Sequence, residues 1–216
     1  LLWITNSESD EISVVDPSTR SLITTLKTSN GIGNAPGGIA MSPDDKKVYV
    51  ANSGSPFATI ITASSSYAGK ISLSDNPIDV AVSKHNRAYF LGKNGLVQVM
   101  DTSNLLLTGQ ALTVGVGVSP NNIAVFSSED YDYDYVYVTN VHAGGVSVIE
   151  YPVNPAHCIF PTTRILQSIN GISGPQDIVI SSDGTRAYIG SISNTISVLE
   201  QKNPTVTYSQ DRLCIN

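Results

Sequence analysis

The chain has 216 residues, 41% of them hydrophobic, enough for a sizeable core in one β domain or two small ones. A net charge of −6 with no cluster of Lys or Arg repels phosphate backbones, so nucleic acid is excluded as an expected partner. Apolar runs stay far shorter than the roughly 18 residues a spanning helix requires, so no membrane insertion is expected.

Charged residues make up only 14%, while Ser, Thr, Asn and Gly are abundant, a composition frequent on secreted β proteins. The chain opens Leu1-Leu2-Trp3, without Met and already inside an apolar run. No signal peptide is recognisable there, and a processed product or a fragment is expected. Two cysteines, Cys158 and Cys214, are compatible with a disulfide or with two packed thiols. Without CxxC spacing they form neither a redox motif nor a zinc site.

In chain order, a short β-like core recurs five times. It reads Leu2-Trp3-Ile4-Thr5-Asn6, Val48-Tyr49-Val50-Ala51-Asn52, Ala88-Tyr89-Phe90-Leu91-Gly92, Val136-Tyr137-Val138-Thr139-Asn140 and Ala187-Tyr188-Ile189-Gly190-Ser191. The aromatic position recurs after 46, 40, 48 and 51 residues. A second apolar run follows each core, as in Gly145-Val146-Ser147-Val148-Ile149-Glu150. A proline-headed run precedes four of the five, beginning at Pro36, Pro77, Pro120 and Pro175. A last run closes each unit: 22–26, 70–73, 110–114, 164–169 and a stretch within 205–215. Proline at a strand head sits where no ladder donor is needed. Pro43-Asp44-Asp45 and Ser182-Asp183-Gly184 predict tight turns between the first two strands. Asn6, Asn52 and Asn140 end their strands and are expected to form turns.

No window carries a sustained 3.6-residue apolar period, so essentially no helix is predicted. Four short strands in 40 to 50 residues are the signature of a propeller blade. The expected fold is all-β: a β-propeller of about five four-stranded blades in a single domain, 1–216. Its repeats fall near 1–35, 36–76, 77–119, 120–174 and 175–216. The first repeat lacks its inner strand. A fragment of a larger, seven-bladed propeller is favoured over a closed five-blade ring.

Val136-Tyr137-Val138-Thr139-Asn140, with Pro175-x-x-Ile178-x-x-Ser181 and Ser182-Asp183-Gly184, resembles the YVTN family of β-propeller repeats. The resemblance covers nearly the whole chain. It implies kinship with surface-layer domains, periplasmic and secreted proteins, and propellers of the lactonase and quinoprotein types. The third core departs from it, with Phe90-Leu91-Gly92 in place of Val-Thr-Asn.

The fourth repeat carries two insertions, 127–135 and 152–163, where a regular scaffold would add function. Asp130, Asp132 and Asp134 are weak candidates for a Ca²⁺ site, because hard cations prefer carboxylates. The plainer reading is a solvated hairpin tip with Tyr131 and Tyr133 lying on the blade; contact of this loop with a protein or glycan is a separate alternative. Asp79, Asn122 and Asp177 occupy equivalent places near the heads of inner strands, with Gly38 in the fourth copy. They either line a channel or cap their strands by bonding nearby backbone N–H groups. Of the histidines, only His142 is a candidate face residue. No nucleophile elbow, zinc-protease motif or phosphate loop is present.

The expected function is a non-enzymatic scaffold outside the cytoplasm, periplasmic, secreted or on the cell surface. It would bind protein or glycan through loops of one face and need no cofactor. The alternative is a lactonase-type hydrolase with Asp79, Asn122 and Asp177 around a bound Ca²⁺.

Overall fold

The computed structural model describes residues 1–108, 111–113, 119–127, 133–153 and 163–200. The chain forms two compact units, Leu1–Thr113 and Val114–Asn216. Among the described residues there is no α-helix; the only helical piece is a 3-10 turn at Thr28–Asn30.

The first unit holds three sheets. β1 (Leu2–Asn6), β2 (Glu11–Asp16) and β3 (Ser21–Leu26) form the first. β4 (Pro36–Met41), β5 (Lys47–Asn52), β6 (Phe57–Thr62) and β7 (Tyr67–Ser72) form the second. β8 (Pro77–Val82), β9 (Arg87–Gly92) and β10 (Leu96–Asp101) form the third. Its outer strand comes in two pieces, β11 (Leu106–Leu107) and β12 (Leu112–Thr113), both paired with β10. The sequence predicts only the second of these pieces.

Among the described residues the second unit holds two sheets. One is β13 (Pro120–Ser127), β14 (Tyr133–Asn140), β15 (Gly145–Pro152) and β16 (Arg164–Asn170). The other is β17 (Pro175–Ile180), β18 (Arg186–Ser191) and β19 (Ile196–Glu200). Among the described residues the sheet of β1, β2 and β3 has no inner strand, as its sequence implies. Cys158, Cys214 and the predicted last strand within 205–215 lie outside the described residues.

Every sheet runs up and down with antiparallel neighbours, so its two faces alternate residue by residue. In β5, Val48 and Val50 point one way and Tyr49 and Ala51 the other. Val48, Val50 and Ile61 pack with Ile12, Leu26 and Ile32. Tyr49, Ala51, Ala58 and Ile60 pack with Val80, Ala88, Phe90 and Met100. The second unit repeats this: Tyr137, Val146 and Val148 pack on Ile178, Ala187 and Ile189. Thus the tyrosine-bearing face of one sheet is covered by the Val-x-Val-type face of the next. Each such aliphatic or aromatic side chain, fully buried, contributes about 1.5–3 kcal/mol.

The polar letters of the core have separate roles. The asparagine starts the expected turn in two copies, where the Asn6 and Asn52 carbonyls accept the Ser9 and Ser55 N–H at 3.3 and 3.0 Å, and its side chain also bridges the hairpin. Its Nδ2 donates to a hydroxyl on the following strand: Asn6 to Ser13 at 3.0 Å, Asn52 to Thr59 at 2.9 Å, Asn140 to Ser147 at 3.0 Å. The threonine bridges sheets. Thr5 Oγ1 donates to the Gly37 carbonyl at 2.7 Å, and Thr139 Oγ1 to the Gln176 carbonyl at 2.9 Å. Both acceptors follow the head proline, where the register shifts and the carbonyl leaves the ladder. A part-buried carbonyl that has left the ladder needs another donor, and the hydroxyl supplies one.

The predicted Asp turns are present. Asp183 accepts from Ser181 Oγ at 2.6 Å, Thr185 N–H at 3.0 Å and Thr185 Oγ1 at 2.9 Å. Asp44 accepts from Ser42 Oγ at 2.6 Å, and Asp16 from Ser18 Oγ at 2.6 Å. These donors favour the carboxylate, holding Asp183 and Asp16 down to about 2 and Asp44 below its ordinary value. A folded-state pKa below the unfolded one stabilises above the unfolded value, near 4. That contribution is lost as pH falls from about 4 through about 2. The melting temperature is therefore expected to drop across this window. Asp183→Asn should reduce the steepness of the drop; an unchanged thermal-melt profile in that variant would count against the Asp183 contribution.

Candidate functional site

All four inner strands carry a register shift just after the head proline: between Pro36 and Ile39, Pro77 and Asp79, Pro120 and Ile123, Pro175 and Asp177. Bulges re-aim side chains and accompany sites more often than regular strand does. Here they carry the positions that the sequence singles out.

In the first unit, Asp79 is buried, and its Oδ1 accepts the Val80 N–H at 2.9 Å. Gly38 lies against it. A Cβ added at Gly38 would meet the Asp79 carboxylate and Cα, so glycine there makes room for the neighbouring strand head. In the second unit, Asn122 and Asp177 come together on one donor. Ile178 N–H is 2.9 Å from Asp177 Oδ1 and 3.2 Å from Asn122 Oδ1.

Three residues unremarked in the sequence complete this second cluster. Thr139 Oγ1 receives the Asn122 N–H at 3.0 Å and donates to the Gln176 carbonyl. Asn121 Nδ2 reaches that same carbonyl at 2.9 Å. The recurrence of threonine at positions 5 and 139 was the available signal. Asp177 itself is solvent-exposed, whereas Asp79 is not. The cluster therefore offers one open carboxylate framed by two amides, with one of its oxygens already engaged by backbone.

The remaining candidates divide between the two ends of the fourth sheet. His142 is exposed in the turn between β14 and β15, at the end that holds Asn122. Tyr133 begins β14 at the other end, seven residues from Asn140, or about 24 Å along the strand at about 3.4 Å per residue. Tyr133 and His142 therefore do not share a loop surface. Asp130, Tyr131 and Asp132 lie outside the described residues. Asp134 is fully buried, because β14 starts at Tyr133 and its register sets Asp134 between Ser127 and Tyr151. The expected solvated row of aspartates does not extend to it. Among the described residues, no three His, Cys, Asp or Glu side chains stand close enough together to hold a metal ion.

No family model and no curated protein matches the sequence. Solved structures do match. Kuenenia stuttgartiensis hydrazine synthase is similar over 92% of this chain and 60% of its own, at TM-score 0.69 and 20% identity. A functionally unknown protein from Desulfotomaculum acetoxidans DSM 771 matches over 92% and 65%, at TM-score 0.71 and 15% identity. A candidate 6-phosphogluconolactonase from Bacteroides uniformis ATCC 8492 matches over 93% and 64%, at TM-score 0.72 and 14% identity. The chain spans less than two thirds of the length of each. With its strand order and repeated sheets, this likeness defines the fold as that of a β-propeller protein.

Proposed function

We propose that the chain is a non-enzymatic propeller scaffold that binds protein or glycan outside the cytoplasm, through loops at one end of its sheets. One observation carries the reading. The carboxylates best placed for chemistry, Asp79 and Asp177, each direct an oxygen to the backbone N–H of the next residue. They serve the strand heads, as a capping role requires. The low charge and the likeness to YVTN-type repeats support a location outside the cytoplasm. Binding is tested with a glycan array and with cross-linking to extracellular proteins. Retention that survives Asp177→Asn but is lost on replacing His142 and the adjoining turn supports the scaffold; retention of no glycan and no protein overturns it.

The second reading is a lactonase-type hydrolase. Its support is that Asn122 and Asp177 present oxygens to a common point, with Asp177 open to solvent. Ca²⁺ prefers carboxylate and amide oxygens, and because both Oδ1 atoms here accept the Ile178 N–H, it would be held beside that point through the second Asp177 oxygen. Titration calorimetry with Ca²⁺ and a lactone hydrolysis assay decide between them. Calcium-dependent turnover abolished by Asp177→Asn establishes the hydrolase; no heat and no turnover removes it.

A further inference from the structure

We propose that Asn170 is a site of spontaneous covalent modification, in which Gly171 attacks its side chain and the asparagine becomes aspartate or isoaspartate. Three Asn-Gly pairs occur in the chain: Asn30-Gly31, Asn94-Gly95 and Asn170-Gly171. Residue order makes them equivalent, since each glycine lacks the side chain that would crowd its own nitrogen. The glycine nitrogen loses its proton to hydroxide and bonds to the asparagine Cγ. The Cγ–Nδ2 bond breaks, and ammonia leaves with a proton from water, which restores the hydroxide. Water then opens the resulting cyclic imide at either carbonyl. A nitrogen or carboxamide already held in hydrogen bonds must first be released.

Two of the pairs are held. Gly31 N–H donates to the Thr28 carbonyl at 2.9 Å, and Asn30 Oδ1 accepts the Lys27 N–H at 2.9 Å. Gly95 is buried, and its N–H donates to the Gly92 carbonyl at 3.1 Å. The Asn94 carboxamide is engaged by Asp75, its Nδ2 donating to Asp75 Oδ1 at 3.1 Å.

The third pair is not held. Asn170 ends β16, Gly171 opens the link to β17, and both are exposed. The second sheet shows what is missing. There Phe57 pairs with Ser72, and the next residue, Leu73, donates its N–H to the Pro56 carbonyl at 3.0 Å. In the fourth sheet Gly145 pairs with Asn170 in the same way, but Gly171 turns to a φ of 89°. The Gly144 carbonyl takes the Ile172 N–H instead, at 3.0 Å. Among the described residues no hydrogen bond holds the Gly171 N–H or the Asn170 carboxamide, and no atom crowds Gly171.

Gly145 directly follows the turn that carries His142. Modification of Asn170 therefore adds a negative charge beside the turn through which the scaffold would bind, and isoaspartate adds a carbon to the main chain there. That consequence rests on the scaffold reading; the modification itself does not.

The test is to incubate the folded chain at mildly alkaline pH in heavy-oxygen water, digest it and weigh the peptides. The Asn170 peptide should exchange its amide for one heavy oxygen and appear as two separable isomers. Asn30 and Asn94 should react at least about tenfold more slowly, since each bond that must open first slows attack by about fivefold. In urea the three rates should converge. Asp75→Ala should speed Asn94 by about fivefold and leave Asn170 unchanged. Asn170 reacting no faster than Asn94 in the folded chain overturns the proposal. So does an Asn170 rate that rises in urea as steeply as the other two, because the fold would then be protecting it as well. An unchanged Asn94 rate in Asp75→Ala overturns the account of what protects that pair.

Discussion

Phe90→Ala is expected to lower the unfolding free energy by about 3–5 kcal/mol, the largest effect of any single change considered. Phe90 is fully buried in the junction between the second and third sheets, with Tyr49, Ile60 and Met100 around it. Small side chains surround it: Ala51 and Ala58 on the facing sheet and Ala88 on its own strand. Those side chains cannot swing into the space the ring leaves, so the cavity persists and its cost adds to the lost transfer energy. Phe90→Leu keeps most of the volume and should cost less than half as much. The single tryptophan, Trp3, lies in the same unit and reports its unfolding by fluorescence. Urea melts should show a lower midpoint with an unchanged slope. A loss below about 1 kcal/mol would mean that this junction is not close-packed.

Asn52→Ala is expected to cost about 2–3 kcal/mol, for a different reason. The Asn52 carboxamide is fully buried and donates to both the Phe57 carbonyl at 2.9 Å and Thr59 Oγ1 at 2.9 Å. Alanine strands the buried Thr59 hydroxyl and the part-buried Phe57 carbonyl. Thr59→Val removes one of those acceptors, so the double variant should lose less than the sum of the singles. Additive losses in that cycle would refute the bridge. The third sheet shows how the chain manages without it. Gly92 stands in the asparagine place, and the Asp75 side chain enters the room left by the missing one. Asp75 in turn accepts the Asn76 N–H at 2.8 Å and the Asn94 N–H at 2.7 Å. Gln98, on the neighbouring strand, accepts the Ser74 N–H at 2.6 Å instead.

Much of this fold was legible from residue order because its signals are local. Alternation in Val136-Tyr137-Val138 specifies a strand with two apolar faces, and a proline at each inner-strand head marks where pairing begins. The spacing of Trp3, Tyr49, Tyr89, Tyr137 and Tyr188 repeats that unit. Misreadings arose where a side chain's partner lies on another strand. Asn52 starts the expected turn through its carbonyl, yet its side chain's partners, fixed by the hairpin register, were not foreseen. Asp134 looks like part of a solvated loop, yet β14 extends back to Tyr133 and buries it. Thr139 looks like ordinary strand filler, yet it bridges to the Gln176 carbonyl.

Residue order by itself determined the repeat, the all-β class and the places where strands start, because pleat alternation and proline chemistry act over a few residues. Tertiary structure alone decided which polar side chains meet. Asn122 and Asp177 converge on Ile178 only because β13 and β17 lie side by side, 55 residues apart in the chain. It also decided which copies of one repeated face are covered and which are open. Tyr137 and Tyr188 are the same letter in the same motif, and only the neighbouring sheet makes one core and the other surface.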